Sequence, residues 1–501
     1  MNMQKFLNPF RRLLTGLFAL AMAAAFGLAG CGGGTTGSSL TANDEESGVV
    51  NISLTDAEGD FVSYTVDVLS LTLTKADGTR VETLPVQTRI DFARYTDMTE
   101  FLTAATIPSG AYVKGTLTLD YSNADIWVED ANGDAVKVET ILDGDGNPVD
   151  TLEVSVRLEG RNRLVIAPGI PMHLSLDFDL EASNTIEFDS NGQPVQTVSP
   201  FLIAEVDRES DKIQRLRGPL QSVNTNDGSF HVFIRPFYQR LAEGRRPFGS
   251  VRVRTDEETW YEIDGQAYRG SAGLEVLSQQ TKFTAVIVKG TLRFRPLRFE
   301  ADEVYAGSSV PGGDMDVVTG SVVARGGDTL TLRGVTLMRS NGAVVFHDSV
   351  SVLLADSTTV KKALSMDDFT KDDISVGQRL TVFGTLTDDS LSNLTLDAAN
   401  GHARMLVTKL RGTLVRNDSS PAFDLRLTHI NGRSPSLYDF SGTGTDAAND
   451  ADPDNYEIDT ATLDVADMPL QSEVGVRGFV RPFGQAPKDF DAITVTLQTG
   501  N

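Results

Sequence analysis

Three short stretches of this chain share one pattern, an apolar β-former followed by a central glycine and further β-formers: Val288-Lys289-Gly290-Thr291-Leu292, Val382-Phe383-Gly384-Thr385-Leu386 and Val476-Arg477-Gly478-Phe479-Val480. Their glycines stand at equal intervals of 94 residues. A fixed period is the mark of a duplicated unit, and one of this length is a domain rather than a solenoid turn. The chain is therefore predicted to end in three copies of one small β domain.

Each copy has a second glycine near its start. The matching openings are Leu216-Arg217-Gly218-Pro219-Leu220, Val318-Thr319-Gly320-Ser321-Val322 and Leu410-Arg411-Gly412-Thr413-Leu414. A glycine inside a strand usually marks a bulge or a sharp bend, and strands that close a small barrel must bend at its corners. We expect three five- to six-stranded barrels of oligonucleotide/oligosaccharide-binding (OB) type at residues 209–307, 314–402 and 406–501.

The second repeat carries a resemblance to a known family. Val376-Gly377-Gln378-Arg379-Leu380-Thr381-Val382-Phe383-Gly384 resembles the closing segment of a bacterial domain of unknown function, family 5666. The first and third repeats lack the leading Val-Gly pair.

Residues 48–208 show the period-two alternation of strands with one buried face, as in Val50-Asn51-Ile52-Ser53-Leu54. Asp77-Gly78 and Asn191-Gly192 supply hairpin turns. The one helical signal is at Tyr95 to Ala105. We interpret 48–208 as an antiparallel β-sandwich, so that the predicted fold class is all-β, a sandwich followed by three OB-like barrels.

The sandwich region also resembles a family. Ile52-Ser53-Leu54-Thr55-Asp56-Ala57, followed by Ile107-Pro108-Ser109-Gly110-Ala111-Tyr112, is similar to domain of unknown function 4382, found in bacterial and archaeal lipoproteins. The resemblance implies a prealbumin-like or immunoglobulin-like sandwich and a surface location. It implies no catalytic residue.

The start of the chain predicts export and lipidation. Basic residues precede an apolar run at Leu13 to Ala29, which is typical of a signal peptide. Leu28-Ala29-Gly30-Cys31 resembles the bacterial lipoprotein cleavage motif, which implies removal of residues 1–30 and acylation of Cys31. Residues 31–47 are then a flexible linker. Gly32 in place of an aspartate implies the outer membrane.

Composition narrows the class of partner. The 501 residues carry a net charge of −25, which disfavours nucleic acid and anionic lipid as partners. With a single cysteine, no intrachain disulfide can form. The five histidines are scattered without metal-ligand spacing, and zinc is not expected.

Two acidic segments place oxygens at alternate positions, as calcium loops do. In the first, the candidate ligands are Asp143, Asp145, Asn147 and Asp150, but the glycine and glutamate of a full calcium loop are missing. We favour a polar hairpin tip and keep Ca²⁺ as the alternative. The second segment, around Asp450, falls in a small polar stretch that predicts a disordered loop at 441–455.

The first repeat is basic within an acidic chain. Residues 206–300 hold sixteen Lys and Arg against twelve Asp and Glu. Arginines and aromatic residues alternate around Arg235, Arg240, Arg245 and Arg246. Such a segment can hold a polyanion, for instance a phosphorylated glycan. An ordinary solvated loop whose prolines protect a barrel edge is the interpretation we favour.

No catalytic signature is present: neither a nucleophile elbow, nor a phosphate-binding loop, nor a metalloprotease helix. We therefore expect a lipid-anchored, non-enzymatic envelope protein that acts as a binding or structural module, with a glycan or another envelope polymer as partner. The alternatives are a secreted polysaccharide hydrolase with an unrecognised carboxylate pair, and a pilus or matrix subunit that assembles by strand addition.

Overall fold

The computed structural model describes most of the chain beyond its first 45 residues. The described ranges are 46–55, 61–94, 98–206, 213–234, 248–293, 298–313, 315–340, 343–388, 394–417, 422–463, 465 and 467–497. Residues 45–501 form one compact unit. The predicted signal peptide, Cys31 and residues 31–45 of the predicted linker lie outside the described residues. No described helix is long and apolar enough to cross a bilayer.

Fourteen described strands and one short helix build the N-terminal region. They are β1 (Ser47–Thr55), β2 (Phe61–Lys75), β3 (Arg80–Glu82), β4 (Thr88–Asp91), β5 (Met98–Pro108), β6 (Gly110–Glu129), β7 (Ala135–Lys137), β8 (Thr140–Asp143), β9 (Thr151–Arg157), β10 (Leu164–Ile166), β11 (Met172–Phe178), α1 (Leu180–Ser183), β12 (Asn184–Phe188), β13 (Pro194–Val198) and β14 (Leu202–Glu205). Short 3₁₀ turns at Phe92–Arg94 and Gly160–Asn162 join some of them.

Two main sheets form this region and share one apolar core. One runs in the order β14-β11-β1-β5, and the other is built on β10-β6-β2-β3, with β4, β7 and β9 attached to β2 or β6. Val50, Leu71 and Phe178, from the two sheets, are all fully buried in the same core. A small third sheet, β12-β13-β8, completes the region.

Two details correct the sequence prediction. The sandwich is not purely antiparallel, because β1 pairs with β5 antiparallel but with β11 parallel. The helical signal at Tyr95 to Ala105 is wrong from Met98 onward, since those residues lie in β5. Thr99 and Thr103 are β-branched and lie within β5, where pairing with β1 on one side outweighs the weak local helical preference.

Eighteen described strands and one helix follow. In the first repeat they are β15 (Ile213–Asn224), β16 (Ser229–Phe233), β17 (Ser250–Arg254), β18 (Trp260–Ile263), β19 (Gln266–Arg269), α2 (Gly270–Gln279), β20 (Ala285–Arg293) and β21 (Arg298–Ala306). In the second they are β22 (Asp316–Gly326), β23 (Thr329–Met338), β24 (Val344–Leu353), β25 (Thr359–Lys362), β26 (Arg379–Asp388) and β27 (Thr395–Leu406). In the third they are β28 (Thr408–Asn417), β29 (Ala422–Ile430), β30 (Tyr456–Asp459), β31 (Glu473–Val480) and β32 (Phe490–Leu497). Further 3₁₀ turns are at Gly307–Ser309, Lys371–Asp373 and Pro435–Leu437.

Each repeat closes five strands into a ring with the same topology. In barrel 3 the order is β28-β29-β30-β32-β31, with β31 returning to β28. Barrel 1 closes through β15, β16, β17, β21 and β20. Barrel 2 closes through β22, β23, β24, β27 and β26. The five ring strands of each barrel are numbered here in chain order. In all three barrels the third and fifth strands run parallel, and every other neighbouring pair is antiparallel. The all-β prediction with barrel repeats is confirmed.

The periodic glycines lie where the fourth strand crosses a bulge in the fifth. A Cβ on Gly290 would be 1.9 Å from the carbonyl oxygen of Glu300. The corresponding distance is 2.3 Å from Gly384 to the Asp397 oxygen. From Gly478 to the oxygen of Asp491 it is 2.0 Å. The register between fourth and fifth strands shifts at or beside each glycine. Glycine is required because the bulge brings the neighbouring backbone too close for any side chain.

The sandwich and barrel 1 share a sheet as well as a core. β5 pairs in parallel with β15, so that the sheet continues from the sandwich into the first barrel. Most of their buried apolar residues form a single cluster, whereas barrels 2 and 3 have clusters of their own. The barrel 2 cluster includes Phe479 from barrel 3, and the barrel 3 cluster includes Val323 and Val376 from barrel 2. Barrels 2 and 3 are therefore packed against each other, because each contributes apolar residues to the other's core.

Candidate functional site

The most concentrated buried charge among the described residues lies where barrel 1 meets barrel 2. Glu262, on β18, has no exposed surface, and Arg404, on β27, is 4% exposed. The Arg404 guanidinium donates to both carboxylate oxygens of Glu262, with Nε to Oε2 at 2.6 Å. It also donates to the backbone oxygen of Ser309 at 3.0 Å. This planar two-point pairing fixes the relative position of the two barrels. We call it the Glu262–Arg404 junction.

Aromatic rings enclose this ion pair. The guanidinium carbon of Arg404 lies 4.3 Å from the centre of the Tyr305 ring and 5.5 Å from that of Phe383. His402 stacks on Phe383 at 3.9 Å between ring centres. Nearby, the indole Nε1 of Trp260 donates to the backbone oxygen of Ser365 at 3.1 Å, a second link between the barrels. A cation held over π faces in a desolvated site is strongly attracted.

The charges of the junction are set by burial and by their neighbours. Burial opposes the charge of Glu262, but Arg404 outweighs it and holds the pKa of the carboxyl below its usual value. Burial lowers the pKa of His402 to about 4, so its imidazole is neutral at pH 7. Burial and then the adjacent Glu303 raise the pKa of Tyr305 well above 10, while Glu303 itself is paired with Lys289 at 2.8 Å. The groups neutralise one another, which favours a structural rather than a catalytic role.

A second cluster joins the sandwich to barrels 2 and 3. Arg433, in barrel 3, donates through Nε to Glu129 of β6 at 2.6 Å and through Nη2 to the backbone oxygen of Gly133 at 2.9 Å. Arg433 lies 3.6 Å from Asp348 of barrel 2. Trp127 packs on Phe346 of β24 at 5.0 Å between rings. The three modules thus meet at one point, held by ion pairs and one aromatic contact.

One nucleophile and one base lie within hydrogen-bond distance in the sandwich. Ser53 Oγ and His173 Nε2 are 2.5 Å apart, on neighbouring strands β1 and β11. Such a pair is the minimum of an activated serine. Ser53 has no exposed surface and His173 has almost none, so that a substrate could not reach them without a rearrangement of the sheet. We interpret the pair as a buried polar link between two strands.

The acidic segment at Asp143 forms a hairpin tip. Asp143 Oδ1 accepts from the backbone N–H groups of Asp145 at 2.9 Å and Asn147 at 2.8 Å. Turns at Asp130 and Asp189 use the same two hydrogen bonds, from the residues two and four positions later. In all three turns these hydrogen bonds lower the pKa of the aspartate.

The turn therefore explains the alternating oxygens without a metal. Within the described part of the chain, no three or more His, Cys, Asp or Glu side chains are grouped to hold a metal ion, and Asp143, Asp145 and Asp150 form no such group. The side-chain amide of Asn147 donates to the Asp143 carboxylate, so Asn147 is also engaged within the turn. The Ca²⁺ alternative has no support from this geometry.

The acidic segment in barrel 3 is ordered, contrary to the disorder predicted for 441–455. Asp450 Oδ1 accepts from the backbone N–H of Gly444 at 2.9 Å, and the N–H of Leu427 donates to the oxygen of Pro453 at 2.7 Å. Ala451 N donates to Thr443 Oγ1 at 2.9 Å. Composition alone did not predict this order, because small polar residues fold when their backbone groups find hydrogen-bond partners, here within the segment and on β29.

Beside this segment lies the buried carboxyl of Asp489. Burial raises its pKa to about 7. Asp489 Oδ2 accepts from the backbone N–H of Glu457 at 2.8 Å. The adjoining cavity, lined by Val376 and Tyr456 among others, is about 10 Å³. That is room for about one water molecule and not for a sugar ring.

The four arginines predicted to bind a polyanion, Arg235, Arg240, Arg245 and Arg246, lie outside the described residues, in 235–247. The neck of that segment is described. Ile234 N donates to the oxygen of Gly249 at 2.9 Å, and Ala104 N on β5 donates to the oxygen of Phe248 at 2.7 Å. The two ends of this segment are thus held by backbone hydrogen bonds, one within barrel 1 and one to β5 of the sandwich.

A second basic segment leaves the same end of barrel 1. Residues 294–297 join β20 to β21, and Arg293 pairs with Arg298 across the base of this connection. Because β17 and β21 run parallel, with Val253 opposite Phe299, both strands begin at the same end of the barrel. The described ends of the two preceding connections, Ile234 and Phe248 for one and Arg293 and Arg298 for the other, therefore lie at that end.

Comparison with known families gives a match in the sandwich. Residues 47–194 match the family described as a domain of unknown function, DUF4382. No curated protein matches the chain. The match supports the resemblance predicted for the sandwich and ends within it. The resemblance of the three barrels to family 5666 stays a prediction.

The sequence analysis did not predict the Glu262–Arg404 junction. The two residues are separated by 142 positions, and each lies in an otherwise ordinary strand. One usable signal existed: Glu262 stands in a four-residue strand, Trp260–Ile263, that is otherwise apolar and aromatic. A lone charge in such a strand predicts a buried partner, but not which residue supplies it.

Proposed function

We propose that this protein is a lipid-anchored, non-enzymatic component of the cell envelope that binds an anionic envelope polymer at one end of barrel 1. The proposal is supported by the common exit of the two basic connections, 235–247 and 294–297, from that end. Five arginines fall in these two segments. Basic segments that also carry aromatic residues suit a polymer with regularly spaced anionic groups.

The charge distribution supports the same site. The whole chain carries −25, so that an anionic polymer is repelled by most of the molecule. Residues 206–300 reverse that balance, with sixteen basic against twelve acidic residues. An anionic polymer is therefore steered toward this region. A phosphorylated glycan or a lipopolysaccharide core has the appropriate chemistry.

The remaining modules act as a stiff support for this end. The sheet shared by β5 and β15, the Glu262–Arg404 junction and the Arg433 cluster each fix one module against another. Buried two-point ion pairs of this kind impose a definite geometry even where their net contribution to stability is small. Binding would then need no change in the arrangement of the modules.

Retention on heparin resin at low salt tests the binding site. The probe is residues 45–501, and the variant replaces Arg235, Arg240, Arg245 and Arg246 by glutamine. The matched control makes the same change in net charge at exposed positions outside barrel 1, and it replaces Arg80, Arg157, Arg163 and Arg426 by glutamine. We expect loss of retention in the first variant only. Equal loss in both, or no salt-dependent retention of the unchanged protein, contradicts the proposal.

Fractionation of cells tests the anchor separately. We expect the full chain in the membrane fraction and the Cys31→Ala variant in the soluble fraction, because a thiol is needed for acylation and two or more chains are needed for stable attachment. Globomycin, which blocks the lipoprotein signal peptidase, should leave the uncleaved precursor. An unchanged distribution of the Cys31→Ala variant would remove the anchor from the proposal without affecting the binding site.

A further inference from the structure

The first strand of the sandwich begins beside an exposed apolar turn. β1 starts at Ser47, and a Cβ on Gly48 would lie 2.5 Å from the backbone oxygen of Ala167 and 2.8 Å from the side chain of Ile166. The start of β1 is therefore packed closely on the connection between β10 and β11, which reads Ala-Pro-Gly-Ile-Pro at 167–171. We call residues 167–171 the entry turn, because the predicted linker enters the sandwich against them.

The entry turn holds its isoleucine out of the core. The N–H of Ile170 donates to the backbone oxygen of Ala167 at 3.3 Å, and Gly169 between them has a φ of +70°. Proline at the second position and glycine at the third are the residues that a type II turn prefers. Ile170 is 58% exposed, the highest value among the exposed large apolar residues of the described chain, and Val165 on β10 is 46% exposed. Neither belongs to the sandwich core, so the turn presents apolar surface that the fold does not use.

Two long strands connect this end of the sandwich with the contacts to the barrels. β5 begins where it pairs with β15 of barrel 1, and it ends at Pro108, which is opposite Ser47. β6 begins at Gly110, where it pairs with β10, and it ends at Glu129, which binds Arg433 of barrel 3. The eleven residues of β5 span about 35 Å. The entry turn therefore lies at the end of these strands that is remote from both barrel contacts.

The length of the predicted linker decides which end of the sandwich is nearest to the membrane. Fifteen residues run from Cys31 to Glu45, and a flexible chain of that length has a root-mean-square reach of about 20 Å. This reach is shorter than the span of β5, which is about 35 Å. Acyl chains on Cys31 would therefore keep the end with the entry turn closer to the bilayer, on average, than the end where barrel 1 begins.

The charge around the entry turn differs from that of the whole chain. Residues 157–171 carry three arginines against one glutamate, in a protein of net charge −25. Arg163 is exposed, and Lys75 lies at the same end, whereas Glu46 and Asp77 oppose them there. The strong negative charge that repels headgroup phosphates from most of the molecule is therefore absent from this end. Long basic side chains can also lie among headgroups while apolar neighbours enter the interface.

We propose that the entry turn, together with Val165, is a membrane-contact surface that rests on the phospholipid bilayer holding the lipid anchor. The bilayer is the occupant because the linker enters at this turn, because the barrel contacts are at the other end, and because exposed aliphatic side chains lie beside basic ones. Such a surface enters the headgroup region and the start of the acyl chains, not the centre of the bilayer. The inference rests on the lipid anchor of the proposed function, and it adds which face of the sandwich is turned toward the lipid.

Fluorescence quenching on tethered protein tests the proposal. Residues 32–501 contain no cysteine, so Ile170→Cys and Leu470→Cys each carry a single thiol for the same fluorescent label. An N-terminal histidine tag binds the protein to phosphatidylcholine vesicles that contain a nickel-chelating lipid and a lipid with a nitroxide on its acyl chain. Leu470, in barrel 3, is a matched control because it is 57% exposed, against 58% for Ile170. We expect the nitroxide to quench the label at position 170 and not the label at position 470.

A label elsewhere on the same end measures what Ile170 contributes. Ala76 is exposed, and its N–H donates to the oxygen of Ala111, which pairs with Val165. With the label on Ala76→Cys, Ile170→Ser should lower the equilibrium constant for membrane contact about tenfold, and the change to serine at position 470 should leave it unaltered. No quenching at position 170, equal quenching at 170 and 470, or no effect of Ile170→Ser would overturn the proposal. The tether replaces the acyl chains, so these results do not depend on lipidation of Cys31, which cell fractionation tests separately.

Discussion

Removing the positive charge from the Glu262–Arg404 junction should separate barrel 1 from barrel 2. Arg404→Met keeps most of the volume of the side chain but leaves the Glu262 carboxylate with no exposed surface and without its two-point partner. His402 is the next basic group, 3.7 Å from Glu262, and burial, the largest cause of its lowered pKa, is unchanged in the variant and opposes its charge. The buried carboxylate would then have no cation at the junction to compensate it.

The expected cost follows from the burial. Breaking a buried pair by removal of one partner costs about 3–5 kcal/mol, because the remaining charge must be kept out of water. The whole stability of a domain is about 5–15 kcal/mol, so the junction should open before either barrel unfolds. Replacing both partners, as in Glu262→Met with Arg404→Met, should restore most of the loss, since no buried charge remains.

The pH dependence has a definite sign. In the unchanged protein the folded-state pKa of Glu262 is below its unfolded value, so its contribution is present above that unfolded value and is lost as pH falls through the folded pKa. In Arg404→Met the largest remaining influence is burial, which raises the pKa of Glu262. The variant should therefore recover as pH falls from that raised folded-state pKa toward the unfolded value of the carboxyl, because protonation removes the buried charge.

Tryptophan fluorescence in urea measures the junction directly. The protein has two tryptophans, and Trp260 lies at the junction while Trp127 lies at the sandwich contact. In a Trp127→Phe background, the signal of Trp260 reports the opening of the barrels, and far-UV circular dichroism reports their unfolding. A loss below about 1 kcal/mol at pH 7, or a double variant as unstable as Arg404→Met, would refute the reasoning.

Two further predictions concern barrels 2 and 3. Gly384→Ala should lower the free energy of unfolding by about 1–3 kcal/mol, because its Cβ would lie 2.3 Å from the Asp397 oxygen and the bulge must shift. Urea denaturation should show no comparable loss for Gly115→Ala, whose Cβ meets its nearest atom, in Val156, at 3.5 Å. The pKa of Asp489, raised to about 7 by burial, makes the folded state lose stability as pH rises from about 4 to 7, and Asp489→Asn should remove most of that slope. If the free energy of unfolding changed by the same amount between pH 5 and pH 8 in Asp489→Asn and in the unchanged protein, the last prediction would be contradicted.

The periodic pattern predicted the barrels because it reports a local requirement. A glycine such as Gly384 must stand wherever one backbone crosses a bulge in the next, so that three copies of the fold repeat it at the same interval. The alternation that marked β1 likewise reports which side of a strand is buried. Neither signal includes pairing direction, and the parallel contact of β1 with β11 was missed for that reason.

The candidate sites depended on a different kind of information. Alternating oxygens around Asp143 are compatible with both a metal loop and a hairpin tip, and the two hydrogen bonds to its carboxylate support the turn. The 441–455 segment has the composition of a disordered loop, yet Asp450 accepts from Gly444 within the segment and Pro453 accepts from Leu427 of β29. In both cases the deciding partners are backbone N–H groups, which every residue type carries and which composition therefore does not reveal.

The amino-acid sequence by itself determined that this protein is all-β, that its last three domains are copies of one barrel, and that no disulfide can hold it together, because these properties follow from short-range patterns and counts. Only the tertiary structure decided how the modules meet. The Glu262–Arg404 pair and the contact of Arg433 with Glu129 both arise from residues far apart in the chain. Packing of the modules brings such residues together, and no local pattern records where a distant strand will lie.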